Sequence, residues 1–230
     1  MNNDQYEDLL NQYRRGCVFC APHSSLVWGR TENFGVCFDV APLAAGHLII
    51  HSAEHYGCAG ELPAEHFREL ESARTAVKSR IREVWGAVSL YEHGRAGHCL
   101  SDGPEHRLCH HFHLHCIPGD SRKVSEELLQ RFERVPLLNY SDIPDTYADH
   151  GNYLYLETDD GEKNYLVVGE EIERHLLRTL ISTHAGYPER ANWREHADRS
   201  LLKEGMAALG EPPFSLRADT VMSTATEGDH

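Results

Sequence analysis

Three histidines alternate with apolar residues in the segment His111-Phe112-His113-Leu114-His115-Cys116-Ile117. This alternation predicts a β-strand, because successive side chains of a strand point to opposite faces of its sheet. The three imidazoles would then share one face, about 6.6 Å apart, while the apolar side chains between them bury the other face. Since three imidazoles are costly to desolvate without partners, we expect an anion or a metal ion in front of them.

The residues alone leave three interpretations of this strand open. It could be an ordinary surface strand whose histidines alternate by chance. It could belong to a zinc hydrolase, since His-x-His on a strand is a common spacing of metal ligands. It could also perform nucleophilic catalysis at phosphorus, because a neutral imidazole attacks phosphorus and then departs as a good leaving group. The neighbouring imidazoles would then donate hydrogen bonds to the phosphoryl oxygens.

The charge of the chain restricts the ligands that this face can take. The 230 residues include 22 basic and 36 acidic side chains, which give a net charge of −14. Such a surface repels anionic membranes, DNA and RNA, so we expect neither a membrane nor a nucleic-acid polymer as a partner. A phosphate ligand would need a local site whose donors outweigh the repulsion from the net negative charge of the chain.

The cysteines and the N-terminal segment bear on the cellular location of the protein. The seven cysteines are an odd number, and the first 16 residues are polar and lack the apolar core of a signal peptide. No run approaches the roughly 18 apolar residues of a membrane helix. We therefore expect a reducing, cytoplasmic location.

The spacing of apolar residues divides the chain into segments. It predicts helices over 3–14 and 63–86. The apolar stripe of the second helix is Phe67, Leu70, Val77, Ile81 and Val84. The spacing also predicts strands over 25–30, 34–40, 46–51, 88–92 and 109–117. After Asp120 it predicts a helix over 126–134, a hairpin with strands 153–157 and 164–168, and helices over 172–182 and 201–209. We expect a catalytic domain over 1–120, an extension over 121–215 and a disordered tail over 216–230.

The histidine strand resembles the signature of the histidine triad family, in which single apolar residues separate three histidines. Residues 38–50 are similar to the family's ribose-binding turn and the strand after it, and residues 92–94 resemble the start of its phosphate loop. The resemblance covers roughly residues 15–120. It implies an α+β fold with a five-stranded antiparallel sheet, here followed by a C-terminal α/β extension, and it implies a homodimer.

The resemblance also assigns roles to single residues. His113 would be the nucleophile that becomes nucleotidylated, and His115 would contact the phosphate and assist the leaving group. His47 would complete the histidine cluster, although it could equally be a core histidine. Asp39 would accept hydrogen bonds from the ribose hydroxyls, or it could be a turn residue before Pro42. The remaining candidates are His111 on the catalytic strand and, as nucleotide contacts, Glu92, His93 and Gly94.

The third histidine separates two activities. In the nucleotidyltransferase branch that position is typically glutamine, so His115 favours hydrolysis through a nucleotidyl-histidine intermediate. Dinucleoside polyphosphates, nucleoside phosphoramidates and nucleotide sugars are candidate substrates. A long loop over 94–110 and the doubled histidine at His110 leave the leaving group open. The alternatives are a nucleotidyltransferase or phosphorylase, and a nucleotide sensor with weak turnover.

A zinc site is predicted next to the strand. Cys17-x-x-Cys20 can bind one side of a tetrahedral ion, and the resemblance implies that His55 and His111 complete a structural site. That role would remove His111 from acid–base chemistry. His51 could replace His55, Cys109 could enter the set, and the cysteines could instead be an inert pair.

The extension carries no catalytic motif that we can name. It could cap the pocket, build the dimer or contact the group attached to the phosphate. We interpret Trp193 as a packing anchor. Arg190 and Arg194 could meet a phosphate, or they could belong to a solvated face.

Overall fold

The computed structural model describes residues 3–13, 17–97, 110–169, 171–173, 175–193, 195–213 and 216. Most of the predicted loop over 94–110, Cys109, Arg194 and the predicted tail after 216 lie outside these residues. The helices are α1 (Asn3–Tyr13), α2 (Phe67–Trp85), α3 (Arg122–Leu128), α4 (Ile143–His150), α5 (Leu176–His184) and α6 (Arg199–Leu209). The strands are β1 (Val27–Arg30), β2 (Phe34–Phe38), β3 (Leu48–Ser52), β4 (Val88–Gly94), β5 (His113–Pro118), β6 (Glu133–Pro136), β7 (Tyr153–Glu157) and β8 (Lys163–Val167).

These strands form one antiparallel sheet in the order β1-β2-β3-β5-β4-β7-β8-β6. The predicted α+β class is confirmed. The sheet has eight strands rather than five, because β7, β8 and β6 of the extension continue the five strands that precede residue 120. Without them β4 would be an edge strand with unpaired N–H and C=O groups. Its pairing with β7 satisfies these groups and covers an edge that could otherwise pair with another chain.

Several boundaries differ from the prediction. The hairpin of β7 and β8 is confirmed, but α3 begins and ends earlier than the predicted 126–134. The residues that follow it turn into β6, whose single apolar residue before Pro136 offered no alternation to detect. Helix α4 was not predicted; it is short, and Ile143 is its only buried residue.

Helix α2 covers the sheet face opposite to the histidines. Its predicted stripe is buried at Phe67, Leu70, Val77 and Ile81, whereas Val84 is exposed beyond the contact. The helix ends at Gly86, whose φ of +83° is a backbone conformation that glycine adopts without a steric cost. Within the described parts of the chain, no helix is both long enough and apolar enough to cross a bilayer.

One hydrophobic core joins the two predicted segments. It packs Leu9, Ile50 and Leu114 in the same cluster as Tyr155 and Leu202 of the extension. Trp193 lies partly buried against this core, in agreement with its interpretation as a packing anchor. The sheet and the core are therefore continuous across residue 120.

Candidate active site and metal centre

Strand β5 holds the histidine face in the middle of the sheet. His113 pairs with His51 of β3, and His115 pairs with Ile49 of β3 and Tyr91 of β4. Partners that lie directly opposite share a face, so these side chains lie together. The Tyr91 ring stacks on the His115 ring with 4.2 Å between centroids. The regular strand begins at His113, which leaves His111 on the segment just before it.

The first cluster at this face is formed by Cys17, Cys20, His55 and His111. The Nδ1 atom of His111 lies 3.3 Å from the sulfur of Cys17 and 3.6 Å from that of Cys20. The Nδ1 atom of His55 lies 3.0 Å from the sulfur of Cys20. All four ligand atoms lie within 4.8 Å of one another. The residues that the sequence predicts for zinc are therefore brought together.

The chemistry of this cluster fits zinc. Two thiols and two imidazoles are a donor set of structural tetrahedral sites. Each imidazole turns Nδ1 inward and donates its Nε2–H to a carbonyl, His111 to Ser52 at 2.9 Å and His55 to His110 at 2.8 Å. Such outer hydrogen bonds set the tautomer of a zinc-bound histidine. Four protein ligands close the site, so a bound ion would have a structural role.

His51 takes no part in the cluster. It is buried, its Nδ1 donates to the carbonyl of Ser52 at 3.1 Å, and its Nε2 is directed at Gly35, where a Cβ would lie only 2.4 Å away. Burial lowers the pKa of His51 to about 4, so the ring is neutral. Between His51 and His55, the geometry favours His55 as the ligand.

One backbone hydrogen bond orients His113. Its Nδ1–H donates to the carbonyl of His111 at 2.7 Å, which leaves the lone pair on Nε2. The ring stacks on Phe19 of the Cys-x-x-Cys loop, with 4.7 Å between centroids. Burial lowers the pKa of His113 to about 4. His113 is thus a neutral imidazole with a nucleophilic nitrogen.

His47 and His115 form a directed pair. The backbone N–H of Leu43 donates to Nδ1 of His47 at 3.2 Å, so the ring proton of His47 is on Nε2. That proton is donated to Nδ1 of His115 at 2.9 Å. The proton of His115 therefore lies on Nε2, where it can be donated to a substrate oxygen. Burial lowers the pKa of His47 to about 4 and the pKa of His115 well below its usual value.

The predicted ribose contact, Asp39, is engaged within the chain. Its Oδ1 accepts the N–H of Ala41 at 2.8 Å, and its Oδ2 accepts from Nη1 of Arg178 at 3.0 Å. Arg178 lies on α5 of the extension, 139 residues away in sequence. Asp39 also groups with His47 and His115, so its position beside the histidines is as expected. The arginine is a partner that the sequence did not indicate.

The three predicted phosphate-loop residues divide between two faces. His93 lies on the histidine face, and its Nε2 accepts the N–H of Leu177 at 3.4 Å. Glu92 lies on the α2 face, where it accepts from the N–H of Ala59 and the hydroxyl of Tyr140. A Cβ at Gly94 would lie 2.1 Å from the ring of Tyr153. The structure therefore does not bring Glu92 and Gly94 to the histidines, because strand residues two apart share a face and adjacent ones do not.

A shallow recess, partly open to solvent, lies beside His113 and is called the histidine recess below. Its lining residues are Gly57, His93, Ala96, Gly97, His110, His111, His113 and His175. His175 precedes α5 and has a φ of +55°, a conformation that is uncommon for a residue with a side chain. Of the described residues that line this recess, five are histidines and none carries a carboxylate, a composition that suits a phosphate.

The chain resembles two curated proteins over most of its length, and no family model matches it. It is 24% identical over 200 residues to CWF19-like protein 1 of Mus musculus, which covers 83% of this chain and 36% of that protein. It is 22% identical over 189 residues to CWF19-like protein 1 of Pongo abelii, which covers 78% of this chain and 34% of that protein. The chain thus spans about a third of the length of these relatives.

Solved structures that resemble the chain carry histidine triad descriptions. A zinc-bound histidine triad family protein from Mycobacterium smegmatis is 22% identical and covers 45% of this chain and 74% of its own, with a TM-score of 0.33. A hypothetical histidine triad nucleotide-binding protein from Sulfolobus tokodaii is 21% identical and covers 44% of this chain and 68% of its own, with a TM-score of 0.35. These values are too low to support a function, which depends on the chain's own residues.

Proposed function

We propose that the chain is a nucleotide hydrolase that acts at an α-phosphate through a nucleotidyl-His113 intermediate. The observation that carries this proposal is the hydrogen bond from Nδ1 of His113 to the His111 carbonyl. It leaves the Nε2 lone pair on a ring that lines the histidine recess. A nitrogen lone pair and neighbouring N–H donors are what substitution at phosphorus through a covalent intermediate requires.

The reaction would proceed in two displacements. The Nε2 atom of His113 attacks the α-phosphorus, a P–N bond forms, and the bond to the leaving group breaks with its electron pair on the departing atom. Where that atom is the nitrogen of a phosphoramidate, it takes up a proton from solvent as it leaves. The Nε2–H of His115 donates a hydrogen bond to the oxygens on which charge develops. Water then attacks the phosphorus, the P–N bond breaks, and the nucleoside monophosphate leaves while His113 is recovered and a proton passes to solvent.

Zinc would support this site without entering the reaction. Cys17, Cys20, His55 and His111 would hold the ion and thereby anchor the N-terminal loop to the catalytic strand. The ion supplies structural cross-linking when bound. His111, with Nδ1 on the metal and Nε2–H on a carbonyl, would have no proton to exchange with a substrate.

Trapping of the intermediate tests the proposal. The protein is mixed with a dinucleoside polyphosphate labelled at the α-phosphate and quenched, and the acid-labile label on the chain is counted. We expect an adduct in the unchanged protein and in His184→Ala, whose histidine pairs with Glu127 on the surface. We expect none in His113→Ala. An adduct that survives this substitution would overturn the assignment of the nucleophile.

Product analysis separates hydrolysis from transfer. His115 at the third position favours water as the acceptor. In the presence of added phosphate or amine acceptors, we therefore expect the nucleoside monophosphate as the main product. A nucleotidylated acceptor as the main product would instead identify a transferase.

A further inference from the structure

Arg178 is built into the site from the extension. It is buried at 5% exposure, and each part of its guanidinium has an acceptor. Nη1 donates to Asp39, Nη2 donates to the carbonyl of Ala41, and Nε donates to the carbonyl of Arg190 at 3.3 Å. A planar guanidinium bound at three positions has a fixed orientation. The guanidinium of Arg178 is therefore a buried and oriented partner of the Asp39 carboxylate.

This contact closes Asp39 to a ligand. The carboxylate is 7% exposed and accepts from Ala41 on one oxygen and from Arg178 on the other. Two vicinal hydroxyls would have to displace the guanidinium to reach it, and a buried guanidinium that loses its carboxylate is costly. Asp39 is not among the described residues that line the histidine recess beside His113.

We propose that Arg178 is a specificity-determining residue that closes Asp39 to the ribose hydroxyls, so that the enzyme selects nucleotides by their phosphate and accepts deoxyribose and 3′-substituted sugars as readily as ribose. This proposal rests on the proposed function. It gives the extension a defined role, since α5 places the arginine. The described lining residues of the recess agree with it, since they offer imidazoles that can bind a phosphate and no carboxylate for a diol.

A matched pair of substrates tests the proposal. Turnover is measured for adenosine 5′-phosphoramidate and for its 2′,3′-dideoxy analogue, and the ratio of their kcat/KM values is the readout. A site that hydrogen-bonds a substrate hydroxyl rejects the analogue that lacks it by orders of magnitude. We expect a ratio near one for the unchanged protein. A preference for the ribose substrate of about tenfold or more would overturn the proposal.

Variants assign the effect to Arg178. Arg178→Met opens Asp39, so the ratio should rise by about tenfold or more. The double variant R178M/D39A removes the charge that R178M leaves unpaired, which protects the fold. It also removes the acceptor for the hydroxyls, so its ratio should return to near one. Arg131→Met, which removes a surface arginine paired with Glu173 in the same extension, should leave the ratio unchanged. A ratio near one in R178M would overturn the role of Arg178.

A failure of the hydrolase proposal can be distinguished from a failure of the inference about sugar selectivity. If the unchanged protein turns over neither substrate, the hydrolase proposal fails. Binding of AMP and 2′,3′-dideoxy-AMP, measured by calorimetry, then tests the sugar selectivity. Equal dissociation constants in the unchanged protein, with tighter binding of AMP in R178M, would support the inference. Tighter binding of AMP to the unchanged protein would overturn it.

Discussion

At the scale of single residues, hydrogen bonds decide which histidine does what. The rings of His113 and His115 are chemically alike and lie on one face, but their Nδ1 atoms have different partners. The Nδ1–H of His113 donates to the carbonyl of His111, whereas Nδ1 of His115 accepts from His47. One ring is left with a lone pair on Nε2 and the other with a proton there. Identical side chains therefore present a lone pair in one case and an N–H donor in the other, through their partners alone.

Glu92 shows how burial at this scale couples to pH. It is fully buried on the α2 face, and desolvation raises its pKa from 4.5 to about 7, against the donors Ala59 and Tyr140 that favour the charged form. The folded state keeps the proton to higher pH than the unfolded state does. The free energy of unfolding should therefore fall as pH rises from about 4.5 to about 7, by at most about 3 kcal/mol.

The substitution Glu92→Gln should remove this pH dependence. The amide stays neutral at every pH, and it can still accept from the N–H of Ala59 and donate to the hydroxyl oxygen of Tyr140. We expect the variant to gain stability relative to the unchanged protein between pH 5 and pH 8 in urea unfolding. Glu126→Gln, on the exposed side of α3, should show no such gain. A difference between E92Q and the unchanged protein that is constant over this range would contradict the account.

At the scale of elements, a buried ion cluster joins α2 to the extension. Arg74 of α2 is 2% exposed and pairs with Glu157 of β7, which also pairs with Lys78. The guanidinium lies 4.0 Å above the ring centre of Tyr140. Helix α2 is thus held against the sheet by charged and aromatic side chains of the extension.

Removal of Arg74 should destabilise the protein strongly. Arg74→Met leaves Glu157 buried with Lys78 as its one remaining ionic partner and the hydroxyl of Tyr155 as a donor, and we expect a loss of about 3–5 kcal/mol in the free energy of unfolding. The matched variant Arg68→Met changes an exposed arginine of the same helix and should alter stability by no more than about 0.5 kcal/mol. Equal effects of the two substitutions in denaturant unfolding would show that the ion cluster does not hold the helix.

Phe19 of the Cys-x-x-Cys loop lies between the candidate zinc ligands and His113. Its ring stacks on His113 and lies 5.4 Å from the ring of His51. Removal of zinc with a chelator should therefore lower both the melting temperature and the turnover, because the loop that carries Phe19 is released. Cys20→Ser should reproduce both effects and reduce the zinc content measured by mass spectrometry. A zinc-free protein with full activity would contradict this coupling.

At the scale of the whole molecule, the sheet and the core continue across residue 120. Strand β4 pairs with β5 on one side and β7 on the other, and tyrosines of β7 and β8 lie in the same core as the N-terminal strands. We expect a fragment of residues 1–120 to lack a cooperative thermal transition, because it exposes the edge of β4 and half of a shared core. A sharp transition in circular dichroism would show that the first segment folds alone.

The homodimer remains a prediction at this scale. The family resemblance is its source, and the two edge strands of the sheet, β1 and β6, are the places where a second sheet could continue it. Light scattering on the purified chain should give twice the mass of 26.1 kDa. A mass of one chain at micromolar concentration would exclude the dimer.

The sequence by itself determined the features that depend on local pattern. Alternation in residues 111–117 predicted the strand, its face and the neighbourhood of the zinc ligands, and the apolar spacing of α2 predicted the layer beneath. Only the tertiary structure decided what meets across long separations. It placed Arg178 on Asp39, Glu92 and Gly94 on the far face, and β7 against β4. No local pattern encodes such contacts, because they arise when distant segments bury a common surface and satisfy each other's charges.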